Sequence, residues 1–209
     1  MSRTDFIFDI ETMGNNVFKI PMLDISFTTF KWDRFLSKPY TFDELTEKCI
    51  QTIKLDVKDQ MKNYDTSYTK RDLEWWMKQG EDAKKAIQPK SDDVTFSEFR
   101  EKFFGYLRDN PEIDYWWSRG NVFDPIVVSR LLWVEGEEYI KEYENLLPFW
   151  KVRDTRTYID AKLDFPENGK FNPLPESESG KVIAHKSSHD VAIEILRMQK
   201  IVRIENDAE

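Results

Sequence analysis

The stretch Asp5-Phe6-Ile7-Phe8-Asp9-Ile10-Glu11-Thr12 is the strongest indication of how this chain folds. Its apolar and aromatic residues predict a buried β-strand over Asp5–Glu11. Because side chains alternate along a strand, Asp9 and Glu11 point to the same side. Two adjacent carboxylates at the end of a hydrophobic strand repel each other and lose solvation, so they need a neutralising partner. Oxygen ligands suit Mg2+ or Mn2+, and the stretch therefore predicts a metal-dependent enzyme.

The size and composition of the chain predict a folded protein without membrane segments. Its 209 residues suffice for one domain with a full core, and we expect a single domain over residues 1–209. Hydrophobic residues make up 40% and aromatic residues 14%, which excludes a disordered chain. The single cysteine, Cys49, excludes an internal disulfide and a thiolate zinc site. The sequence has neither a signal peptide nor a bilayer-spanning segment, so we expect a cytoplasmic protein with no membrane partner.

The net charge of the chain limits the kind of nucleic-acid contact that it can make. The formal value is -8, whereas general nucleic-acid binders usually carry a basic excess. An enzyme that contacts a few nucleotides through bound cations is still compatible, because the metals supply the local positive charge.

Strand and helix patterns predict an α/β fold. Alternating β-formers predict further strands over Leu23–Lys31, Ile50–Val57, Ile113–Trp117 and Arg153–Ile159. Helices are expected after Thr41, after Thr69, over Ala83–Ile87, after Thr95, from Asp124-Pro125 with proline at the first position, and from Ser187 or Ser188. Asp164–Gly180 is expected to be a loop, and the acidic tail 203–209 to fray. We therefore expect a mixed sheet flanked by helices.

Polar residues follow the predicted elements where a site could form. Asp124 opens a helix after a strand, and His185 and Asp190 flank the start of the last helix. Each has an ordinary alternative explanation: Asp124 could be an N-cap, His185 could be an ordinary loop histidine, and Asp190 could complete a capping box with Ser187. Asp154 is expected to be a structural acid at a strand end.

Three motifs in this order resemble those of the DEDDh exonucleases, relatives of the proofreading subunit of DNA polymerase III. They are Asp9-Ile10-Glu11-Thr12, Asn121-Val122-Phe123-Asp124, and His185 with Asp190 five residues later. More narrowly, Leu73-Glu74-Trp75-Trp76, Arg153-Asp154-Thr155-Arg156-Thr157 and the segment from Ala184 to Asp190 resemble exonuclease A of T4-like bacteriophages. The resemblance implies a ribonuclease H-like fold with a five-stranded sheet and 3'→5' exonuclease activity, with DNA 3' ends, single-stranded above all, as the partner.

The four acidic residues of these motifs form a candidate site for two Mg2+ or Mn2+ ions. Asp9, Glu11 and Asp190 can ligate one ion, and Asp9 with Asp124 can hold a second, partly through water. Two such ions suit in-line displacement at phosphorus, with release of nucleoside 5'-monophosphates.

The remaining candidate residues come from the same resemblance. His185 is expected to be the general base, because its position matches the family motif, and His189 is the obvious rival. Thr12 and Met13 would contact the terminal nucleotide, with Met13 wedged between the last two bases. Asn121 would orient the loop that carries Asp124 and lie at the substrate.

Other functions are left open by the residues alone. A 3'→5' exoribonuclease of the same superfamily, a non-catalytic binding module with this fold, and a metal phosphatase are the alternatives. The tryptophans Trp75, Trp76, Trp116 and Trp117 are expected to lie in the core rather than to stack on bases, as most helical and strand aromatics do.

Overall fold

The structure is a computed structural model, which describes residues 3–163, 178 and 180–207. In this part of the chain, five strands form one sheet in the order β3-β2-β1-β4-β5. They are β1 Thr4–Thr12, β2 Met22–Lys31, β3 Gln51–Lys54, β4 Trp116–Ser118 and β5 Val152–Asp154. The first three strands form an antiparallel meander, whereas β4 pairs parallel with β1 and β5 parallel with β4. The predicted α/β fold with a mixed five-stranded sheet is confirmed.

Helices cover both faces of this sheet. They are α1 Arg34–Ser37, α2 Phe42–Glu44, α3 Val57–Asn63, α4 Lys70–Trp76, α5 Glu81–Ala86, α6 Phe96–Asp109, α7 Asp124–Glu135, α8 Glu137–Leu146, α9 Thr155–Lys162 and α10 Ser187–Asp207. A π-helical turn, Leu45–Cys49, continues α2, and a 3-10 turn, Phe149–Lys151, precedes β5. Among the described residues, none of the helices combines the length and apolarity that crossing a bilayer requires.

The alternation of β1 separates two hydrophobic clusters. Phe6 and Phe8 pack in the larger cluster, with the apolar side of α6 and much of α7. Ile7 packs on the opposite face, with Val191 and Ile195 of α10. Because Asp9 and Glu11 lie two and four residues after Ile7, they also face α10. The sheet therefore brings the two acidic residues of β1 to the helix that carries the last motif.

Three predicted strands end or begin elsewhere, for local reasons. The third stops at Lys54, because the Asp56 side chain accepts hydrogen bonds from two backbone N–H groups and caps α3. The fourth begins at Trp116 rather than at Ile113. The strand expected over Arg153–Ile159 is wrong beyond Asp154, since the Asp154 carboxylate accepts from Thr157 N and starts α9.

Most predicted helix starts are confirmed. Thr69 and Thr95 both form complete capping boxes, and Ser187 opens α10. α7 begins at Asp124, so Pro125 is its second residue and not its first. α10 continues through Asp207, past the point where we expected fraying, and Glu205 is held by Lys162 at 2.9 Å.

Within the loop expected over Asp164–Gly180, residues 164–177 and 179 lie outside the described residues.

Candidate active site

The acidic residues of the first and last motifs meet at one edge of the sheet. One carboxylate oxygen from each of Asp9, Glu11 and Asp190 lies within 4.8 Å of the other two. Asp9 and Glu11 reach this point from the end of β1, and Asp190 from the first turn of α10. Residues nearly two hundred positions apart in sequence therefore form one cluster, because α10 packs across β1 and β2.

Asp124 reaches the same edge from the loop that follows β4. Asp154, at the end of the neighbouring strand β5, accepts hydrogen bonds from Gly120 N at 2.8 Å and Asn121 N at 3.2 Å and so fixes this loop. Gly120 has a φ of 91°, a conformation that favours glycine. Asp124 is not the N-cap of α7, because Phe123 occupies that position. The predicted structural role of Asp154 is confirmed.

Electrostatic repulsion in the cluster is strong. Burial raises the pKa of Asp9 well above its usual value, and the charges of Asp124, Asp190 and Glu11 raise it further. Burial and the neighbouring carboxylates raise the pKa of Glu11 to about 9. Burial also raises the pKa of Asp190 to about 7, and that of Asp124 well above its usual range. Among the described residues, Arg197 and Arg119 lower the pKa of Asp190, but they do not offset burial.

These residues suit a divalent cation. The Oδ2 atom of Asp124 is buried and has no hydrogen-bond partner within the described protein. An orphaned carboxylate oxygen beside three clustered oxygens is the donor set that Mg2+ and Mn2+ prefer. Asp124 is not one of the three close-packed acids, although its charge raises the pKa of Asp9 and of Glu11.

The metal-free protein should lose stability as the pH rises from 7 to 9. A carboxyl group whose pKa is raised by folding stabilises the native state below its unfolded pKa, and this stability disappears as the pH passes the folded value. Between pH 7 and pH 9 the folded protein retains the proton of Glu11, whose pKa is about 9, whereas the unfolded chain has lost it; Asp190, with a pKa of about 7, contributes mainly below pH 7. The retained proton of Glu11 lowers the free energy of unfolding by about 1.4 kcal/mol per pH unit, and this slope disappears as the pH approaches 9. Chemical unfolding in EDTA at pH 7, 8 and 9 measures the slope.

Histidine titration does not interfere with this window. Burial lowers the pKa of His185 and that of His189, the latter to about 4, so both are neutral above pH 7. Glu11→Gln should flatten the slope, and saturating Mg2+ should oppose it because metal binding favours deprotonated ligands. A free energy of unfolding in EDTA that rises from pH 7 to pH 9 would contradict the assignment of these shifts.

His185 lies immediately before α10 in an unusual backbone conformation. Its φ is 60°, which is uncommon for a residue with a side chain. Its ring packs edge-on against Trp75 at 4.8 Å and Trp76 at 6.0 Å, measured between ring centroids. Strained backbone that the surrounding packing enforces is frequent at functional sites.

His189, the rival base, has a structural role. Its Nδ1 accepts a hydrogen bond from Ile183 N at 3.0 Å, and its ring packs edge-on against Phe42 at 4.9 Å. The nitrogen that could accept a proton is therefore already engaged. His189 therefore holds Ile183, in the segment that leads to His185.

A cavity of about 700 Å³ lies beside the acidic cluster, and Glu11 forms part of its lining. Thr12 and Met13 line it, as do Arg71 and Trp75 of α4. Met13 is only 3% exposed and packs in the larger core cluster, so it forms the floor of the cavity and does not project from it. The contacts of Thr12 and Met13 with a nucleotide stay predictions.

Asn121 lies in the loop before Asp124. Its side-chain oxygen accepts a hydrogen bond from Ser118 Oγ at 2.9 Å, and its backbone N–H donates to Asp154. These bonds fit the expected role in orienting the loop, whereas contact with substrate stays a prediction.

Helix α4 forms one wall of the cavity. The sequence predicts this helix but not the position of Trp75 in the wall. Trp76 is buried, as expected, and its Nε1 donates to the backbone oxygen of Thr12 at 3.1 Å. Gly14 permits this close approach, because a Cβ there would lie 2.5 Å from Asp72 Oδ1. The expectation that Trp75 lies in the core is wrong: its side chain is 45% exposed and lines the cavity. Adjacent helical residues point about 100° apart, which could have indicated that only one tryptophan faces inward.

Comparison with known proteins agrees with this geometry. Residues 4–196 match the family model described as the 3'-5' exoribonuclease Rv2179c-like domain. The exodeoxyribonuclease of Enterobacteria phage T4 is 36% identical over 210 residues, covering 95% of this chain and 89% of the phage protein.

Solved structures share the fold at low sequence identity. Exonuclease I of E. coli in complex with a dT13 oligonucleotide has a TM-score of 0.60 at 12% identity, covering 98% of this chain and 43% of that one. Cell-death related nuclease 4 has a TM-score of 0.53 at 11% identity, covering 96% of this chain and 64% of that one. The chain spans less than half the length of the exonuclease I structure. With the match over residues 4–196 and the phage relative, the chain belongs to the Rv2179c-like family of DnaQ-like 3'-5' exonucleases.

Proposed function

We propose that this exonuclease removes nucleoside 5'-monophosphates from the 3' ends of single-stranded DNA, using two Mg2+ or Mn2+ ions and a histidine base. The observation that carries the proposal is the meeting of Asp9, Glu11 and Asp190 within 4.8 Å, beside a cavity of about 700 Å³ that Glu11 helps to line. The family model spans residues 4–196 in one match, which supports a single exonuclease domain.

The cations would be held by the four acids of the motifs. Asp9, Glu11 and Asp190 would hold one ion, and Asp9 with Asp124 the other. When bound, the pair would activate the attacking water and stabilise the leaving 3'-oxygen. Bound cations would relieve the repulsion among these carboxylates and displace the protons that burial and like charge retain on them.

His185 would take the proton of the attacking water on an imidazole nitrogen. The water oxygen bonds to phosphorus, the bond from phosphorus to the 3'-oxygen breaks, and the departing oxygen takes a proton from solvent. Burial lowers the pKa of His185, so the imidazole is neutral and able to accept a proton at pH 7. Its contacts with Trp75 and Trp76 limit the orientations that the ring can adopt.

DNA is the preferred substrate in this proposal because of the phage relative. That protein is named an exodeoxyribonuclease and matches over almost the whole chain. The second candidate is RNA, which the description of the family model favours.

Matched DNA and RNA oligonucleotides test the proposal directly. Each is labelled at its 5' end in one sample and at its 3' end in another, and incubated with Mg2+ or with EDTA. We expect a 5'-labelled ladder and labelled mononucleotide from the 3' end, faster on DNA and absent in EDTA. Faster digestion of RNA would support the second candidate, and cleavage from the 5' end would refute the proposal.

Trp75 should stack on a base of the bound strand. Stacking of a base on an aromatic side chain is worth about 1–3 kcal/mol, so Trp75→Ala should raise KM about tenfold. The expected change in kcat is smaller, and Trp75→Phe should retain most of the affinity. Steady-state kinetics on oligo-dT separates KM from kcat.

Trp150 provides a matched control. It is 65% exposed and precedes β5, in a turn that does not line the cavity. Trp150→Ala should leave KM unchanged. An equal KM for Trp75→Ala and the parent protein would exclude stacking at this position.

A further inference from the structure

A line of hydrogen bonds joins β2 and β3 to the first residue of α10. Ser187 Oγ donates to Asp24 Oδ1 and lies 2.7 Å from Ser26 Oγ, which is 2.7 Å from Thr52 Oγ1. An ionised carboxylate only accepts and each hydroxyl has one proton, so donation runs from Thr52 through Ser26 and Ser187 to Asp24. Ser26 and Ser187 are almost completely buried, and water therefore does not compete for these bonds.

Asp24 lies beside the acidic cluster. It pairs with Glu11 in the register of β1 and β2, and directly paired residues of antiparallel strands project to the same face. It is not one of the three acids whose oxygens lie within 4.8 Å. Its charge disfavours ionisation of Glu11, so its presence costs electrostatic free energy at the site. The bond to Ser187, together with the charges of Lys54 and Lys186, offsets part of this cost.

Ser187 lies between His185 and Asp190 in sequence and in the first turn of α10. It does not act as the cap of a box with Asp190, because its hydroxyl binds Asp24 and the Asp190 N–H donates to Lys186 O at 3.1 Å. The strands therefore fix the end of α10 that carries Asp190.

We propose that Asp24 is a positioning residue, which holds Ser187 and thereby sets Asp190 against Asp9 and Glu11. The proposal rests on the proposed function, because it assigns Asp190 to the metal site. A displacement of about 1 Å can reduce a rate by about 10²-fold, so one buried bond at this position can matter greatly.

Three variants distinguish the effect of the hydrogen bond between Asp24 and Ser187 from the effect of the charge of Asp24. Asp24→Ala and Ser187→Ala remove the bond, and each should lower kcat and weaken Mn2+ binding by about 10- to 100-fold, the range seen for groups that orient metal ligands. Asp24→Asn retains an oxygen that accepts from Ser187, so it should stay within about fivefold of the parent protein in both measurements. KM for oligo-dT should change little in all three.

Titration calorimetry with Mn2+ alone gives a reading that does not depend on activity. If the parent protein binds Mn2+ but degrades no oligonucleotide, the proposed function fails, whereas the comparison of Mn2+ affinities still decides the role of Asp24. Thermal unfolding checks that each variant is folded. If Asp24→Ala does not fold, Ser187→Ala compared with Asp24→Asn gives the same decision.

The double variant Asp24→Ala/Ser187→Ala gives the sharpest test. Two residues that act through one bond are not additive, so the double variant should be no worse than the worse single variant. Losses that multiply would overturn the proposal. It would also be overturned if Asp24→Asn were as impaired as Asp24→Ala, or if both alanine variants kept the Mn2+ affinity of the parent protein.

Discussion

Asp9→Asn should abolish exonuclease activity and leave the fold intact. Asp9 is the one acid assigned to both ions in the proposed mechanism, and the amide that replaces it is nearly the same size. Bound metal stabilises the charge of the transition state by several kcal/mol, so the rate of hydrolysis should fall by about 10³-fold or more. Release of mononucleotides from 3'-labelled oligo-dT in Mg2+ and in Mn2+ measures it.

The same substitution should have the opposite effect on the stability of the metal-free protein. Burial and three or more neighbouring carboxylates raise the pKa of Asp9, which means that folding opposes its ionisation. An amide removes that conflict, and its N–H groups can donate to the remaining carboxylates. In EDTA at pH 8 the variant should therefore unfold at the same temperature as the parent protein or higher. With saturating Mn2+ the order should reverse, because only the parent protein gains the full binding energy.

Asp114→Asn is a matched control in the segment before β4, where Asp114 contacts the first residue of β1. Its carboxylate is exposed and accepts a hydrogen bond from Thr4 N at 3.1 Å, which an amide oxygen can also accept. Activity and both unfolding temperatures should match those of the parent protein. If Asp9→Asn retained activity within tenfold, or lowered the unfolding temperature in EDTA, the metal-ligand assignment would be refuted.

The acidic cluster could be predicted because each of its residues lies in a strong local pattern. An apolar strand that carries Asp9 and Glu11 on one side is readable from alternation alone, and Pro125 indicates a helix start near Asp124. The prediction that these elements meet at one site depended on the resemblance of the three motifs to those of the DEDDh exonucleases. Alternation along β1 then explains why both acids face α10, where Asp190 lies.

Asp24 and Trp75 could not be predicted in the same way. The role of Asp24 depends on the register that places it opposite Glu11, and a sequence does not state which residues of two strands are paired. The exposure of Trp75 depends on how α4 docks, and the absence of a Cβ at Gly14 leaves the room that Asp72 of this helix occupies. The predicted fifth strand is longer than the observed one because the alternating pattern continues past Asp154. The side chain of Asp154 instead caps α9 and ends the strand.

His185→Ala should lower kcat by about 10²- to 10⁴-fold, the usual contribution of a positioned general base. The metal ligands remain, so Mn2+ affinity should stay close to that of the parent protein. Single-turnover digestion at saturating Mn2+ isolates the chemical step from strand binding. Because the substitution leaves room beside Trp75, added imidazole should restore part of the rate, which a merely structural defect would not allow.

The pH dependence of the chemical step distinguishes a base from a packing residue. A general base must be neutral, so the parent rate should fall on acidification through the pKa of His185, and burial places that pKa below its ordinary value of 6.5. Saturating Mn2+ keeps the carboxylates of the cluster ionised, so their titration does not contribute to the dependence of the rate on pH. His185→Ala should lack this acidic limb. If the variant retained the acidic limb of the pH profile, or if imidazole had no effect, another group would accept the proton of the attacking water. His185 would then serve only to pack against the two tryptophans.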